Sequence, residues 1–133
     1  MSTRALNGTI ILNRGDSIAF DIDLPWAACR HPKYYHIQDT DAVYFGIMDP
    51  GMPFEYALVR KKFTNDDIDH DTGKLKIVLR PEDTLDLMPG KYFYAVKLHL
   101  NHDCFDNFNS LDFDTPKDHV LTVVNKTKFI LCD

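Results

Sequence analysis

A chain of 133 residues with 44% hydrophobic and 26% charged residues falls outside the disordered class and is long enough to bury a core, so we expect one domain spanning 1–133. The formal net charge of −5 and the dispersed Lys and Arg residues argue against nucleic-acid binding, because phosphate neutralisation needs a clustered basic surface. The sequence also holds no apolar stretch of about 20 residues, the length of a membrane span, so we expect no membrane contact.

The amino-terminal region contains no apolar run of the length found in signal peptides, because its apolar part is confined to residues 9–12. We therefore expect synthesis in the cytoplasm, with exit only inside a larger particle. The three cysteines, Cys29, Cys104 and Cys132, form no even-numbered disulfide framework. They fit free thiols in a reducing compartment.

The first half of the chain has the periodicity of strands. Residues 17–24 alternate, with Ile18, Phe20, Ile22 and Leu24 on one face and Ser17, Ala19, Asp21 and Asp23 on the other. Residues 9–12 predict a short pairing strand before a turn at 13–16. The continuous apolar run 43–48 predicts a central strand that is buried on both faces.

The second half continues the pattern. Residues 54–63 and 74–79 predict a hairpin around a long polar loop at 64–73. A strand end, a polar turn and Gly90 then lead into a strand at 92–100, and we expect Leu85 and Leu87 in the turn to point inward. Residues 119–124 and 127–131 predict two last strands around a turn at Asn125 and Lys126.

These elements predict about 7–8 strands and show no helical periodicity. Strands separated by turn signals, without intervening helices, are typical of two packed antiparallel sheets. The sequence therefore predicts an all-β fold, a single antiparallel immunoglobulin-like β-sandwich.

Two segments interrupt the strands, at 25–41 and 102–117. The second holds more apolar side chains than a solvated loop needs, and long loops in compact domains are usually functional or packed on a neighbour. Trp and Tyr in the first segment are residue types that favour protein interfaces. We expect these segments to form the interface, through Trp26, Tyr34, Tyr35, Phe105, Phe108 and Phe113.

Two groups of residues resemble partial metal sites. Asp67, Asp69 and Asp71 have the alternate spacing of a calcium loop, but Thr72 stands where an EF-hand needs Gly and Val78 where it needs Glu. The simpler interpretation is a hairpin loop whose Asp and Gly residues satisfy turn geometry.

The second group, His99, His102 and Cys104, contains zinc's preferred donors, yet a fourth ligand would have to come from Cys29 or His31. We therefore predict no metal and no cofactor. The sequence contains no nucleophile elbow, no Gly-rich phosphate loop and no HExxH motif, so we also predict that the protein is not an enzyme.

Three parts of the chain carry a resemblance to a known family. Arg14 to Phe20 form a Gly-Asp-Ser turn with an alternating strand, Val43-Tyr44-Phe45 open the central strand, and residues 79–94 give a strand, an Asp-Thr turn, Gly90 and a Tyr-x-Tyr strand. The chain resembles the small β-sandwich domains of tailed-phage structural proteins, including the N-terminal domains of upper baseplate proteins. It departs from them where Ala95 and Val96 follow Tyr94 and where Asn125 replaces a glycine.

The resemblance implies a non-enzymatic structural component of a tailed-phage virion, made in the host cytoplasm. Its place would be the tail, the baseplate or the neck, or it would decorate the capsid. The implied partners are other virion proteins and further copies of the chain in a symmetric particle. The alternative is a carbohydrate- or receptor-binding module for host adhesion, with Trp26, Tyr34, Tyr35 and Tyr44 as a glycan-stacking platform.

Overall fold

The computed structural model describes residues 3–4, 8–24, 27–32, 37, 40–100 and 119–133. These residues are mostly β-structure and form two sheets, which confirms the predicted all-β class. A short helix, α1 (Pro81–Thr84), follows the seventh strand. The strands are β1 (Thr3–Arg4), β2 (Ile10–Asn13), β3 (Ile18–Asp23), β4 (Ala42–Met48), β5 (Val59–Phe63), β6 (Ile68–Asp69), β7 (Lys74–Leu79), β8 (Gly90–Leu100) and β9 (His119–Cys132).

The larger sheet has six strands in the order β1-β2-β9-β8-β4-β5. Strands β2 and β9 pair in parallel, with Ile10 opposite Phe129 and Asn13 opposite Cys132. The expectation of a purely antiparallel fold is therefore wrong at this pair. A parallel pair needs a long connection between its strands, and here nearly the whole chain supplies it.

The smaller sheet has three strands in the order β3-β7-β6. Its longest pairing is antiparallel and runs from Ile18 opposite Leu79 to Asp23 opposite Lys74. The predicted alternation is confirmed in both strands, because one face of each is buried and the other exposed. An alternating strand buries one face only when a second layer covers that face.

Side chains from both sheets form one core between them. Three aromatic rings cross this core: Phe20 of β3 lies 6.1 Å from Phe45 of β4 and 6.2 Å from Tyr94 of β8, measured between ring centroids. The Tyr94 hydroxyl donates a hydrogen bond to the carbonyl of Gly8, which ties the chain before β2 to β8. The largest fully buried side chains include Tyr94, Phe45, Phe129, Ile10, Leu12 and Ile22.

The predicted hairpin between residues 54–63 and 74–79 is wrong. Phe54–Tyr56 form a 3-10 turn, and only Val59–Phe63 form a strand. This strand pairs with β4, whereas Lys74–Leu79 pair with β3 and β6 in the other sheet. The chain therefore crosses from one sheet to the other between β5 and β6.

The predicted turn at Asn125 and Lys126 is also wrong, since both residues lie within the single strand β9. The pairing of β9 with β8 shifts register between Tyr94 and Val96 and again between Val96 and Lys97. A bulge adds residues to one strand without reversing the chain, and polar residues suit it as they suit a turn.

The connection from β7 to β8 contains α1 where a simple turn was expected. Thr84 is fully buried, and Leu87 packs partly against the core as predicted. Leu85 is 56% exposed, so its predicted inward orientation is wrong. The helical turn rotates successive side chains by about 100°, which takes Leu85 away from the core side.

Candidate interaction surface

The outer face of the six-stranded sheet is covered in part by the chain between β4 and β5. In this connection the ring of Phe54 lies over Gly46 in β4. A Cβ atom at Gly46 would lie 2.9 Å from both the Phe54 ring and the Ala57 Cβ atom, so only glycine permits this approach. Phe54 also packs against a small cluster formed by Met48, Ala57 and Ala95.

Two cationic side chains hold the connection in place. The Arg60 guanidinium donates hydrogen bonds to the carbonyls of Glu55 (2.7 Å) and Ala57 (3.1 Å). The Lys126 ammonium donates to the carbonyl of Met52 at 2.7 Å and so links β9 to the connection. These bonds fix the backbone that carries Phe54.

A groove of about 560 Å³ opens beside Phe54 on this outer face. Its lining combines an aromatic ring, a small buried residue and polar groups: Phe54, Ala95, Lys97, Thr122, Asn125 and Lys126. Pro53 and Glu55 complete it. Thr122, Asn125 and Lys126 belong to the irregular part of β9, where bulging changes the direction of side chains. A smaller depression of about 210 Å³ lies on the other side of Phe54, next to Tyr44 and Arg60.

The charge of the groove comes mainly from Lys97 and Lys126. The Lys97 ammonium lies 5.1 Å from the centroid of the Phe54 ring, within the range of a cation–π contact. Lys126 is exposed, and Glu55 is the acidic residue of the lining. The groove therefore presents two ammonium groups, an amide and a hydroxyl beside an aromatic wall.

The outer face of the three-stranded sheet is different in character. Asp21 lies opposite Lys76 and Asp23 opposite Lys74, and all four side chains are exposed. Opposite charges that face each other across strands neutralise each other locally, so this face is suited to contact with solvent. The six-stranded sheet instead carries half-buried Tyr44 and other large side chains on its outer face, which makes it the better candidate for contact with another molecule.

Large apolar side chains are also exposed at one end of the molecule. The connection between β4 and β5 and the connection between β7 and β8 both lie at that end, because Met48 lies opposite Phe93 near the start of β8. Tyr56 is 63% exposed and Met88 is 77% exposed. Exposed apolar groups gathered in adjacent loops are typical of contact surfaces.

The predicted interface residues Trp26, Tyr34, Tyr35, Phe105, Phe108 and Phe113 lie outside the described residues. Of the strands that flank these segments, β4 begins and β8 ends at the same end of the molecule. Ala42, at the start of β4, lies opposite His99 near the end of β8. His99 also faces Tyr44, with the ring centroids 6.3 Å apart.

The Asp residues of the calcium-like loop bond to their own backbone. Asp67 Oδ2 accepts a hydrogen bond from the amide of Thr64 at 2.8 Å, and Asp69 Oδ1 accepts one from the amide of Asp71 at 3.0 Å. Gly73 ends the loop with a φ of +70°, which favours glycine. This geometry is that of a tight turn, as expected for these residue types, but the turn joins β6 to β7 rather than the predicted strands at 54–63 and 74–79.

Among the described residues, no group of three or more His, Cys, Asp or Glu side chains is placed to hold a metal ion. Of the zinc-like group, His99 is described, and His102 and Cys104 lie outside the described residues. No helix in the described part of the chain is long and apolar enough to cross a membrane.

The fold alters the acidity of the Tyr92 phenol. Burial, followed by the negative charge of Asp49, raises the pKa of Tyr92 above its ordinary value of 10.0. Its hydroxyl donates a hydrogen bond to the carbonyl of Met88 at 2.5 Å. Burial, the charge of Asp49 and this hydrogen bond all favour the protonated phenol.

Sequence reasoning missed the groove, because it joins a connection, a mid-strand alanine and a bulge that are far apart along the chain. One signal was present: Gly46 interrupts a buried apolar strand, and a glycine there often marks close approach of another segment. Comparisons of the chain with protein-family models, with curated proteins and with solved structures give no match.

Proposed function

We infer that this protein is a non-enzymatic structural component of a tailed-phage virion, made in the host cytoplasm. It would belong to the tail, the baseplate or the neck, with capsid decoration as the variant. The observation that carries the proposal is segment 79–94, whose sequence resembles that of phage β-sandwich domains. In the structure this segment forms the end of β7, helix α1, Gly90 and the start of β8.

One hydrogen bond and the aromatic core support an immunoglobulin-like sandwich as the finer description of the fold. In such domains a tyrosine near the start of a central strand bonds back to the backbone just upstream, as Tyr92 does to Met88 here. Their core often holds a tryptophan against a disulfide that joins the sheets. Here Phe20, Phe45 and Tyr94 fill the corresponding space between the sheets.

The distribution of surface groups supports a role in assembly. One sheet face is charged and balanced, whereas the other is partly aromatic and grooved, and one end exposes Tyr56 and Met88. A domain with several contact surfaces can join neighbours on more than one side. Repetition in a symmetric particle then gives individually weak contacts a high combined affinity.

The test is genetic. We expect a source phage that lacks this chain to yield incomplete particles, and a plasmid copy of the chain to restore complete ones. Electron microscopy of the defective particles would show which substructure fails to form. Complete, infectious particles in the absence of the chain would contradict a required structural role.

Carbohydrate or receptor binding is the second candidate, and the groove is the observation that favours it. An amide, a hydroxyl and ammonium groups beside an aromatic wall can hydrogen-bond a sugar. Glycan-array binding that Phe54→Ala or Asn125→Ala abolishes would favour this candidate. Absence of binding to host surfaces would favour the structural role in the virion.

A further inference from the structure

The groove lining holds two basic residues and one acidic residue, on a chain that is acidic as a whole. The formal net charge is −5, yet Lys97 and Lys126 both line this one groove. Lys74 and Lys76 on the other sheet each lie opposite an aspartate, whereas the two groove lysines share Glu55 as the acidic residue of their lining. Each ammonium has three donors, so the bond from Lys126 to Met52 leaves further donors for a ligand.

The chain itself carries an acidic segment that would suit this groove. We call Asp66, Asp67, Asp69 and Asp71 the acid corner; all four side chains are exposed. Asp67 and Asp69 each use one oxygen to hold the local backbone, which leaves their other lone pairs available. Because these bonds already order the corner, binding it would cost little conformational entropy.

We propose that the groove of one copy binds the acid corner of a second copy. This inference rests on the proposed function and deepens it, because it names one of the repeated contacts between subunits. The ammonium groups of Lys97 and Lys126 pair with carboxylates of the corner, in charge-assisted hydrogen bonds. The amide of Asn125 and the hydroxyl of Thr122 supply further hydrogen bonds at the same place.

The two surfaces differ in kind and in position. The groove opens outward from the six-stranded sheet, whereas the acid corner lies where the chain crosses from β5 to β6. A contact between unlike surfaces is head-to-tail, and it builds a ring when the rotation closes or a helical stack when it does not. Rings and stacks are the arrangements that a tail, a neck or a baseplate needs.

Zero-length cross-linking with a carbodiimide tests the contact directly, because it joins an ammonium to a carboxylate only where the two touch. Unlabelled and isotopically heavy chains are mixed, so that mass spectrometry separates links between copies from links within one copy. We expect heavy–light links from Lys97 or Lys126 to the acid corner. Their yield should fall about tenfold from about 0.15 M to about 1 M salt, because the Debye length shrinks from about 8 to about 3 Å.

Charge exchange tests the pairing itself. The groove variant is Lys97→Glu with Lys126→Glu, and the corner variant is Asp66→Lys with Asp71→Lys, which leaves the two capping carboxylates unchanged. Each variant alone should lose self-association, and an equal mixture should regain it. Association is measured by sedimentation, which does not depend on the exchanged groups being cross-linkable.

Two controls keep the result interpretable. Lys128→Glu changes the charge of the same strand outside the groove and should leave association unchanged. Lys97→Glu alone leaves the bond from Lys126 to Met52 in place, and it replaces the double variant if that variant melts at a lower temperature.

Two results would overturn the contact: wild-type protein without heavy–light links, or folded variants whose mixture fails to associate. Either would leave another acidic protein or a carboxylate ligand as the occupant of the groove. If the links form but the chain is absent from particles, the proposed function is wrong instead.

Discussion

Lys61 Nζ lies 2.9 Å from Asp83 Oδ2, and this ion pair joins the edge strand of the larger sheet to helix α1 beside the smaller one. Lys61 lies between two exposed residues of β5 and points to the core side, where both partners are about four-fifths shielded. An inward-pointing charge discourages an edge strand from pairing with another chain. The edge at β5 is therefore a poor partner for a strand of another chain.

Replacing Lys61 with Met should destabilise the fold, because Asp83 would keep its charge without its partner. We expect a loss of about 1–2 kcal/mol in the free energy of unfolding, between the values typical of exposed and buried pairs. Urea denaturation measures it. The matched control is Lys62→Met, an exposed neighbour that should change stability by less than about 0.5 kcal/mol. Equal effects of the two substitutions would contradict this role for the ion pair.

The raised pKa of Tyr92 predicts how stability depends on pH. Because the folded protein holds this proton more tightly than the unfolded chain, its contribution is fully present below pH 10.0 and is lost as the pH rises through the raised pKa. Tyr92→Phe should cost about 0.5–1.5 kcal/mol at neutral pH, the value of one hydrogen bond, and should reduce the alkaline loss.

Thermal melting over a series of pH values checks this prediction. Tyr56→Phe is the control for removing a phenol, because Tyr56 is exposed and its substitution should change stability at neutral pH by less than about 0.5 kcal/mol. If the Tyr92 variant loses stability in alkali as steeply as the wild type, another group is responsible.

Gly46→Ala should displace Phe54 and disturb the groove. The added methyl group would sit 2.9 Å from the Phe54 ring and from Ala57 Cβ, which is closer than carbon atoms pack. We expect a loss of about 1–3 kcal/mol, as for other overpacked sites. In a Phe54→Ala background the penalty should shrink without vanishing, since Ala57 remains. A double-mutant cycle measures this coupling, and strictly additive effects would show that the ring can move aside freely.

Phe108→Asp should leave the monomer folded and block assembly. The prediction rests on the apolar content of residues 102–117. Folding is checked by thermal melting, and assembly by complementation of a phage that lacks the chain. Phe129→Asp is the contrasting control, because Phe129 is fully buried and its substitution should abolish folding itself. Normal particles carrying Phe108→Asp would mean that this loop makes no essential contact.

Local sequence patterns predicted the strands well where burial alone determines which positions are apolar. Alternation at Phe20 and Ile22 reports a buried face, and the structure has that face against the core. The choice of partner strand produces no comparable pattern in the sequence. Residues 54–63 and 74–79 are neighbours in the sequence, yet their strands belong to different sheets. Pairing depends on which edges are free once the whole chain has folded.

The candidate site was less predictable than the fold. Asn125 and Lys126 suggest a turn by composition, but turns and bulges favour the same polar residues, and only pairing with β8 distinguishes them. The groove then depends on Phe54 folding back over Gly46, a contact between a connection and a strand. Sequence periodicity carries no information on such a contact.

Mass spectrometry of purified particles from the source phage tests the central claim most directly. The account predicts this chain in fixed proportion to the major capsid protein. A low copy number would fit a tail, neck or baseplate ring, and a high one would fit decoration of the capsid. Absence of the chain from purified particles would contradict the account.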